Sequence, residues 1–176
     1  KPTVVLVHGA FAESSSWNAV AATLKQQGYP VIAAANPLRS LSADADYVSS
    51  VVKQTTGSVV LVGHSYGGAV ISNAVKENTN VKALVYVAAF APEQGETVLE
   101  LSNRYPGSTL GSALAAPVVL KDGNKDLYIQ QDKFGAQFAA DVPVAEATLM
   151  AATQRPIAEL ALTEPSAQPA WHQTPS

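Results

Sequence analysis

Short apolar runs alternate with helical patterns along residues 1–90. Four runs predict strands at 3–7, 31–34, 59–62 and 81–88, and the segments between them repeat apolar residues at i, i+3, i+4 and i+7, the spacing of an amphipathic helix. Strands that are apolar on both faces and separated by helices indicate a parallel sheet covered on both sides. With right-handed crossovers, the pattern predicts a doubly wound, mostly parallel α/β fold.

The three helices between these strands differ in their signals. The first carries an apolar stripe that includes Trp17, which we expect to pack in the core, and it should stop at Gly28. The second is predicted to start at a Ser42 cap and to bury Tyr47 together with three valines. The third is predicted over residues 67–77.

The pattern changes after Pro92. Eight of the eleven prolines lie from that point on, no further buried strand is evident, and short helices are predicted at 97–105, 132–140, 144–153 and 157–162. We therefore divide the chain into the N-terminal part of an α/β core (1–94), a helical cap inserted into that core (95–170, the cap segment) and a return to the core (171–176).

Composition excludes several classes of function. The chain is 47% hydrophobic with a formal net charge of −3, and no cluster of Lys and Arg indicates a nucleic-acid partner. The apolar runs are too short to predict a membrane span. Without cysteine there is no disulfide or thiolate metal site, and three histidines without paired spacing predict no metal. No signal peptide is visible, which favours the cytoplasm, although a leader removed before residue 1 would leave the same sequence.

One motif carries a nucleophile. The run Gly63-His64-Ser65-Tyr66-Gly67 fits G-x-S-x-G, with an apolar strand before it and a helix after it. In this setting the serine occupies a strained elbow and projects above the sheet, while the following helix N-terminus favours developing negative charge. The sequence therefore predicts Ser65 as a catalytic nucleophile.

A second motif, His8-Gly9-Ala10-Phe11, directly follows the first strand. In acyl transfer, an N–H group of this loop pairs with the N–H after the nucleophile to stabilise an oxyanion. The predicted donors are Ala10 and Tyr66, with Phe11 as a substitute for Ala10. We also expect Phe11, Tyr66 and Phe90 to contact substrate at the carboxyl edge of the sheet.

No catalytic partner for Ser65 stands out. His64 should point away from the nucleophile, His8 is expected to be structural, and His172 is expected to be a lone surface residue. Most of the candidate acids are predicted to be helix caps, solvated charges or loop residues: Glu13, Asp44, Asp46, Glu93, Glu96, Asp122, Asp126, Asp132 and Asp141. Glu93 and Glu96 follow the fourth apolar run, a position where a catalytic acid can lie, but we expect them to be surface residues.

The chain resembles small α/β-hydrolases of the plant hydroxynitrile lyase and methylesterase group, and its bacterial esterase-like relatives more closely still. The resemblance rests on Val5-Leu-Val-His-Gly-Ala, Trp17, Val62-Gly-His-Ser-Tyr-Gly-Gly and Val87-Ala-Ala-Phe-Ala-Pro, with Ala151-Ala-Thr-Gln-Arg-Pro indicating the bacterial branch. It implies a Ser-His-Asp triad with Ser65 as nucleophile, no cofactor, and a helical cap over the pocket.

In the order typical of this family, the acid and the histidine follow strands that come after the cap. We therefore expect the acid and the histidine in a segment beyond residue 176. A stable folded sample should contain that segment as a second chain, or cover the exposed sheet edge by dimerisation. The leading interpretation is hydrolysis of a carboxylic ester, and the apolar cap favours a small or medium-sized uncharged one. A lyase that cleaves cyanohydrins, with Lys121, Lys125 or Lys133 as its cation, and a non-catalytic binding protein remain alternatives.

Overall fold

A computed structural model describes all residues, 1–176. Its main sheet contains four parallel strands in the order β2-β1-β3-β4. The strands are β1 (Thr3–Val7), β2 (Val31–Ala34), β3 (Val59–His64) and β4 (Val81–Val87). The helices that connect them are α1 (Asn18–Gln26), preceded by a 3-10 turn at Ser14–Trp17, α2 (Leu41–Gln54) and α3 (Tyr66–Ala74). The predicted parallel α/β architecture is confirmed.

Helices α2 and α3 cover one face of this sheet. Every residue of β1 is buried, and α3 buries eight of its nine residues because it lies directly over the sheet. The start of α2 and one of its predicted core positions differ from the prediction. Its cap is Ser40, whose hydroxyl accepts a hydrogen bond from the Ala43 N–H, and Tyr47 is exposed. The predicted valines do face the core, since Val48 and Val52 are buried and Val51 is half-buried, and the buried face also includes Leu41, Asp44 and Ala45.

The opposite face is covered less completely. Trp17 is buried against Val4 and Leu6, as predicted for a core residue, but α1 itself contains no buried residue. The outer strand β4 also exposes apolar side chains, since Val85 and Val87 each keep 42% of their surface. The prediction that this strand is buried on both faces is therefore wrong for β4.

The end of the chain lies against β4. Residues 170–172 form a 3-10 turn, and beyond it the Pro175 carbonyl accepts a hydrogen bond of 2.9 Å from the Leu84 N–H, in the middle of β4. The outer edge of the main sheet therefore has one backbone contact with the last residues of the chain.

The cap segment contains helices and a small sheet. The helices are α4 (Val98–Asn103), α5 (Leu110–Ala113), α6 (Gln131–Phe138), α7 (Val144–Thr153) and α8 (Glu159–Thr163). The prediction of an all-helical cap is wrong, because β5 (Val118–Val119), β6 (Lys125–Leu127) and β7 (Ile157–Ala158) form an antiparallel sheet. Accordingly, the helix predicted from residue 157 begins only at Glu159. No helix of the protein combines the length and hydrophobicity that a membrane span requires.

Candidate active site

Ser65 occupies the sharp turn between β3 and α3. Its φ of 52° and ψ of −124° lie in a region that a residue with a side chain rarely adopts. The conformation is held on two sides, because the Ser65 carbonyl accepts hydrogen bonds from Gly68 N–H at 3.0 Å and Phe90 N–H at 3.1 Å. Strain of this kind persists where the surroundings fix it, and it is common at functional sites.

Glycine is required around this turn because neighbouring backbone approaches closely. A Cβ atom at Gly67 would lie 2.4 Å from the Val7 carbonyl oxygen, and one at Gly63 would lie 2.5 Å from the Gly67 carbonyl oxygen. Gly9, in the loop after β1, lies against the serine itself, since a Cβ there would be 2.8 Å from Ser65 Cβ. The two sequence motifs therefore meet in space.

Unpaired backbone N–H groups lie near Ser65 in the loop after β1 and at the start of α3. The N–H groups of Ala10, Phe11 and Tyr66 make no hydrogen bond in the structure, although Phe11 is nearly buried. Phe11 has a φ of 60°, so the loop turns sharply at this point. Unpaired N–H groups on both sides of a serine are the arrangement that an oxyanion site requires.

Ser65 lines a cavity of about 480 Å³ between the core and the cap segment. Trp17 and His64 contribute from the core, and Phe138 and Met150 contribute from α6 and α7. No side chain of Asp, Glu, Lys or Arg lines this cavity. Its surface is therefore mostly apolar around a single serine at the elbow.

A second cleft of about 450 Å³ adjoins this cavity, because Ala12, Ser16 and Met150 line both. Phe11 lines the second cleft and packs edge-on against Phe138, with ring centroids 6.1 Å apart. Phe90 is half-buried against the core and lines neither cavity. Of the three predicted substrate contacts, only the Phe11 side chain therefore faces one of these openings.

The Tyr66 side chain lies elsewhere. It is 1% exposed, and its hydroxyl donates a hydrogen bond of 2.7 Å to Asp44 Oδ2. A contact of this side chain with substrate is therefore not expected, and only the unpaired backbone N–H of Tyr66 remains available at the elbow. Asp44, treated above as a cap, solvated or loop charge, is fully buried. The sequence does contain a signal, because Asp44 falls on the same helical face as Leu41 and Val48.

The three histidines differ in environment. His8 is fully buried, with Nδ1 2.9 Å from the Gly9 carbonyl oxygen and Nε2 unpartnered, and burial lowers its pKa. His64 packs edge-on against Trp17, and burial lowers its pKa as well. His172 is exposed and lies 2.9 Å from Glu93, so it is not a lone residue. Ser65 Oγ makes no hydrogen bond to any of them, and no cluster of acidic or histidine side chains could hold a metal ion.

The comparisons with known proteins agree with this geometry. The family model described as alpha/beta hydrolase family matches residues 4–176, and the chain belongs to that family. A carbendazim hydrolyzing esterase of Nocardioides sp. (strain SG-4G) is 32% identical over 110 residues, which cover 55% of this chain and 46% of the relative. The probable hydrolase R7 of Phoma sp. is 31% identical over 112 residues, with the same coverage. The chain thus matches about half the length of these curated relatives.

Solved structures share the fold. An extracellular α/β-hydrolase from a Paenibacillus species, described as sharing homology with tobacco salicylic acid binding protein 2, superposes with a TM-score of 0.71 at 25% identity, covering 96% of this chain and 70% of that one. Tomato methylketone synthase I gives a TM-score of 0.78 at 17% identity, covering 99% and 76%. The pyrethroid hydrolase PytH gives 0.72 at 20% identity, covering 94% and 71%. At 17% and 20% identity, the last two matches concern the fold alone.

Proposed function

We propose that the protein hydrolyses carboxylic esters through an acyl-enzyme on Ser65. The observation that carries the proposal is the position of Ser65 on a strained elbow, at the wall of an apolar cavity and beside unpaired backbone N–H groups. Membership of the α/β-hydrolase family and an esterase relative support it. The absence of charged side chains in the cavity favours a small or medium-sized uncharged ester.

The reaction begins when a histidine base removes the Ser65 hydroxyl proton and Oγ attacks the ester carbonyl carbon. Negative charge then develops on the carbonyl oxygen, where the N–H groups of Ala10 and Tyr66 stabilise it by about 3 kcal/mol each. The alcohol leaves with the proton from the histidine, and the acyl group stays on Ser65. In the second half, the histidine removes a proton from a water molecule, which attacks the acyl carbonyl carbon. Ser65 then leaves with that proton, and the carboxylic acid is released.

We infer that the base and its acid lie in a segment that packs along β4, either in the same polypeptide or as a second chain. His8 is buried, His64 packs on Trp17 and His172 binds Glu93, so none is bonded to the Ser65 hydroxyl. The outer strand β4 exposes Val85, which a further element packed along this strand would cover, whereas the exposed Val87 belongs to the wall of the Ser65 cavity.

The alternative of a cyanohydrin lyase receives no support from the cation positions. Lys125 pairs with Glu159 at 3.2 Å, and Lys133 donates to the Ser112 carbonyl at 3.2 Å. No lysine lines the cavity that contains Ser65. Ester hydrolysis is therefore the function that the site supports best.

The test is turnover of p-nitrophenyl esters by Ser65→Ala in a catalytically competent preparation. We expect a loss of about 10⁴-fold or more, because the acyl-enzyme cannot form. Ser16→Ala is the matched control, since it removes another hydroxyl from the same cavity and should retain activity. Turnover that survives Ser65→Ala would rule out the proposal.

The inferred segment has its own measurement, the intact mass of a folded, active preparation under denaturing conditions. We expect either a species of several kilodaltons beside the 18.3 kDa chain or one longer polypeptide. An active, monodisperse monomer of 18.3 kDa with cooperative unfolding would contradict the inference.

A further inference from the structure

A chain of buried contacts begins at Tyr66, the residue after the proposed nucleophile. Its hydroxyl donates to Asp44 Oδ2 at 2.7 Å, and both side chains are almost completely excluded from solvent. Asp44 lies on the first turn of α2, so the bond joins α2 to the first residue of α3. The Tyr66 hydroxyl is therefore fixed by Asp44, while the backbone N–H of the same residue stays unpaired.

The second carboxylate oxygen of Asp44 connects these contacts to the loop before α2. Oδ1 accepts a hydrogen bond of 3.0 Å from the Arg39 N–H. Burial raises the pKa of Asp44, while the Arg39 and Tyr66 donors act in the opposite direction. A buried carboxyl group is costly without such partners, and with them it is still a weak source of stability, because desolvation offsets much of what its hydrogen bonds contribute. Its presence calls for a role other than stability.

The same loop is bonded to the cap segment. The Arg39 guanidinium donates to Asp126 Oδ1 at 2.6 Å and to the Pro156 carbonyl at 2.7 Å. Next to it, the Leu38 carbonyl accepts a hydrogen bond of 2.9 Å from the Ala158 N–H. These partners belong to β6, to β7 and to the residue before β7, so the loop is bonded to the small sheet on one side and to Asp44 on the other.

We propose that Asp44 is a positioning residue of this site: it fixes Tyr66, and with it the oxyanion N–H, and connects that residue through the Arg39 loop to the cap segment. The inference rests on the proposed function, because it assigns Asp44 to the same oxyanion site. Asp44 does not touch substrate, and it acts through the placement of the Tyr66 backbone. A displacement of a fraction of an ångström at an oxyanion donor is sufficient to slow the chemical step.

The experiment compares Tyr66→Phe and Asp44→Asn with Tyr86→Phe in the complete active protein. Tyr86 is the matched control, because its hydroxyl also bonds to α3, through Ser72 Oγ at 2.8 Å, but near the C-terminal end of the helix, away from Ser65. We expect kcat to fall about ten- to hundredfold in the first two variants while KM stays within about twofold. Tyr86→Phe should keep kcat within about twofold, although it also loses a hydroxyl contact inside the protein.

A double variant and Ser65→Ala complete the design. If the Tyr66–Asp44 contact alone carries the effect, kcat of the double variant Tyr66→Phe/Asp44→Asn should be no lower than kcat of the slower single variant. Melting temperatures that fall while kcat is unchanged would overturn the inference, since they indicate a purely structural role. If Tyr66→Phe is recovered unfolded, the nearly isosteric Asp44→Asn decides the question by the same kcat criterion. Turnover by Ser65→Ala would instead refute the proposed function, so the two failures are distinct.

Discussion

Arg155 forms an ion pair with Glu13, and two of its nitrogens lie close to the carboxylate. Its Nη2 donates to Glu13 Oε2 at 3.1 Å, and its Nε lies 3.0 Å from Oε1. Glu13 follows the loop that carries the Ala10 N–H, and Arg155 follows α7 of the cap segment. The pair therefore joins the cap segment to the loop beside Ser65, and Arg155 belongs to the Ala151-Ala-Thr-Gln-Arg-Pro stretch of the sequence.

Removing this ion pair should affect binding more than stability. Both side chains are about one-third exposed, and exposed pairs contribute less than about 1 kcal/mol. In Arg155→Met we expect KM for a p-nitrophenyl ester to rise roughly threefold or more, because the cap is held less closely over the cavity. Arg104→Met, which breaks the exposed pair with Glu96, serves as the control. Equal KM values in the two variants would contradict this prediction.

Met150 should limit substrate length. It lines both the Ser65 cavity and the adjoining cleft, so its side chain stands where the two meet. Met150→Ala should join them and raise kcat/KM for long acyl esters relative to acetate by about tenfold or more. Leu149→Ala on the same helix removes an exposed side chain and should leave the chain-length profile unchanged. A profile that is unaltered in Met150→Ala would show that the junction does not select length.

Gly9 should tolerate no side chain. A Cβ at this position would lie 2.8 Å from Ser65 Cβ and 2.9 Å from the His64 carbonyl oxygen, so Gly9→Ala must push the loop away from the elbow. We expect kcat to fall by about a hundredfold, the effect of misplacing one oxyanion donor. Gly111→Ala is the control, since nothing lies within 4 Å of the added methyl group. Full activity of Gly9→Ala would refute the assignment of this loop.

His8 should make the protein less stable in acid. Burial lowers its pKa below the usual 6.5, so as the pH falls the unfolded chain binds a proton before the folded one does. The stabilisation is complete above pH 6.5 and is lost below it, with a slope of up to about 1.4 kcal/mol per pH unit. Urea unfolding of the parent protein and of His8→Asn between pH 7.5 and 5.5 measures this slope. Identical slopes for the two proteins would contradict the prediction.

The main sheet and the elbow could be predicted because their signals are local. Continuous apolar runs define the strands, and the position of Ser65 follows from five residues in a strand–turn–helix setting. The small sheet could not be predicted, since β5 and β7 have two residues each and carry no period. In α2 the valines Val48 and Val52 could be placed from the helical period, whereas Tyr47 lies at the margin of that face and only packing decides that Ala45 is buried there instead.

The role of Asp44 depends on packing that no local pattern encodes. Its partner Tyr66 is 22 residues away, and the contact exists only because α2 packs beside α3 on the sheet. The same holds for Arg39 and Asp126, which are 87 residues apart in the chain. Charges that look like solvated loop residues in the sequence thus link distant elements: Asp44 is buried against Tyr66, and Arg39, which keeps 40% of its side-chain surface, pairs with Asp126 of the cap segment.

The most direct test of the central claim is to trap the acyl group on the protein. The complete active protein is mixed with a slowly turned-over p-nitrophenyl carbamate, quenched in acid, and analysed by intact mass and peptide mapping. We predict one added carbamoyl group, located on Ser65 and absent from Ser65→Ala. Release of p-nitrophenol without any adduct, or an adduct that persists in Ser65→Ala, would contradict it.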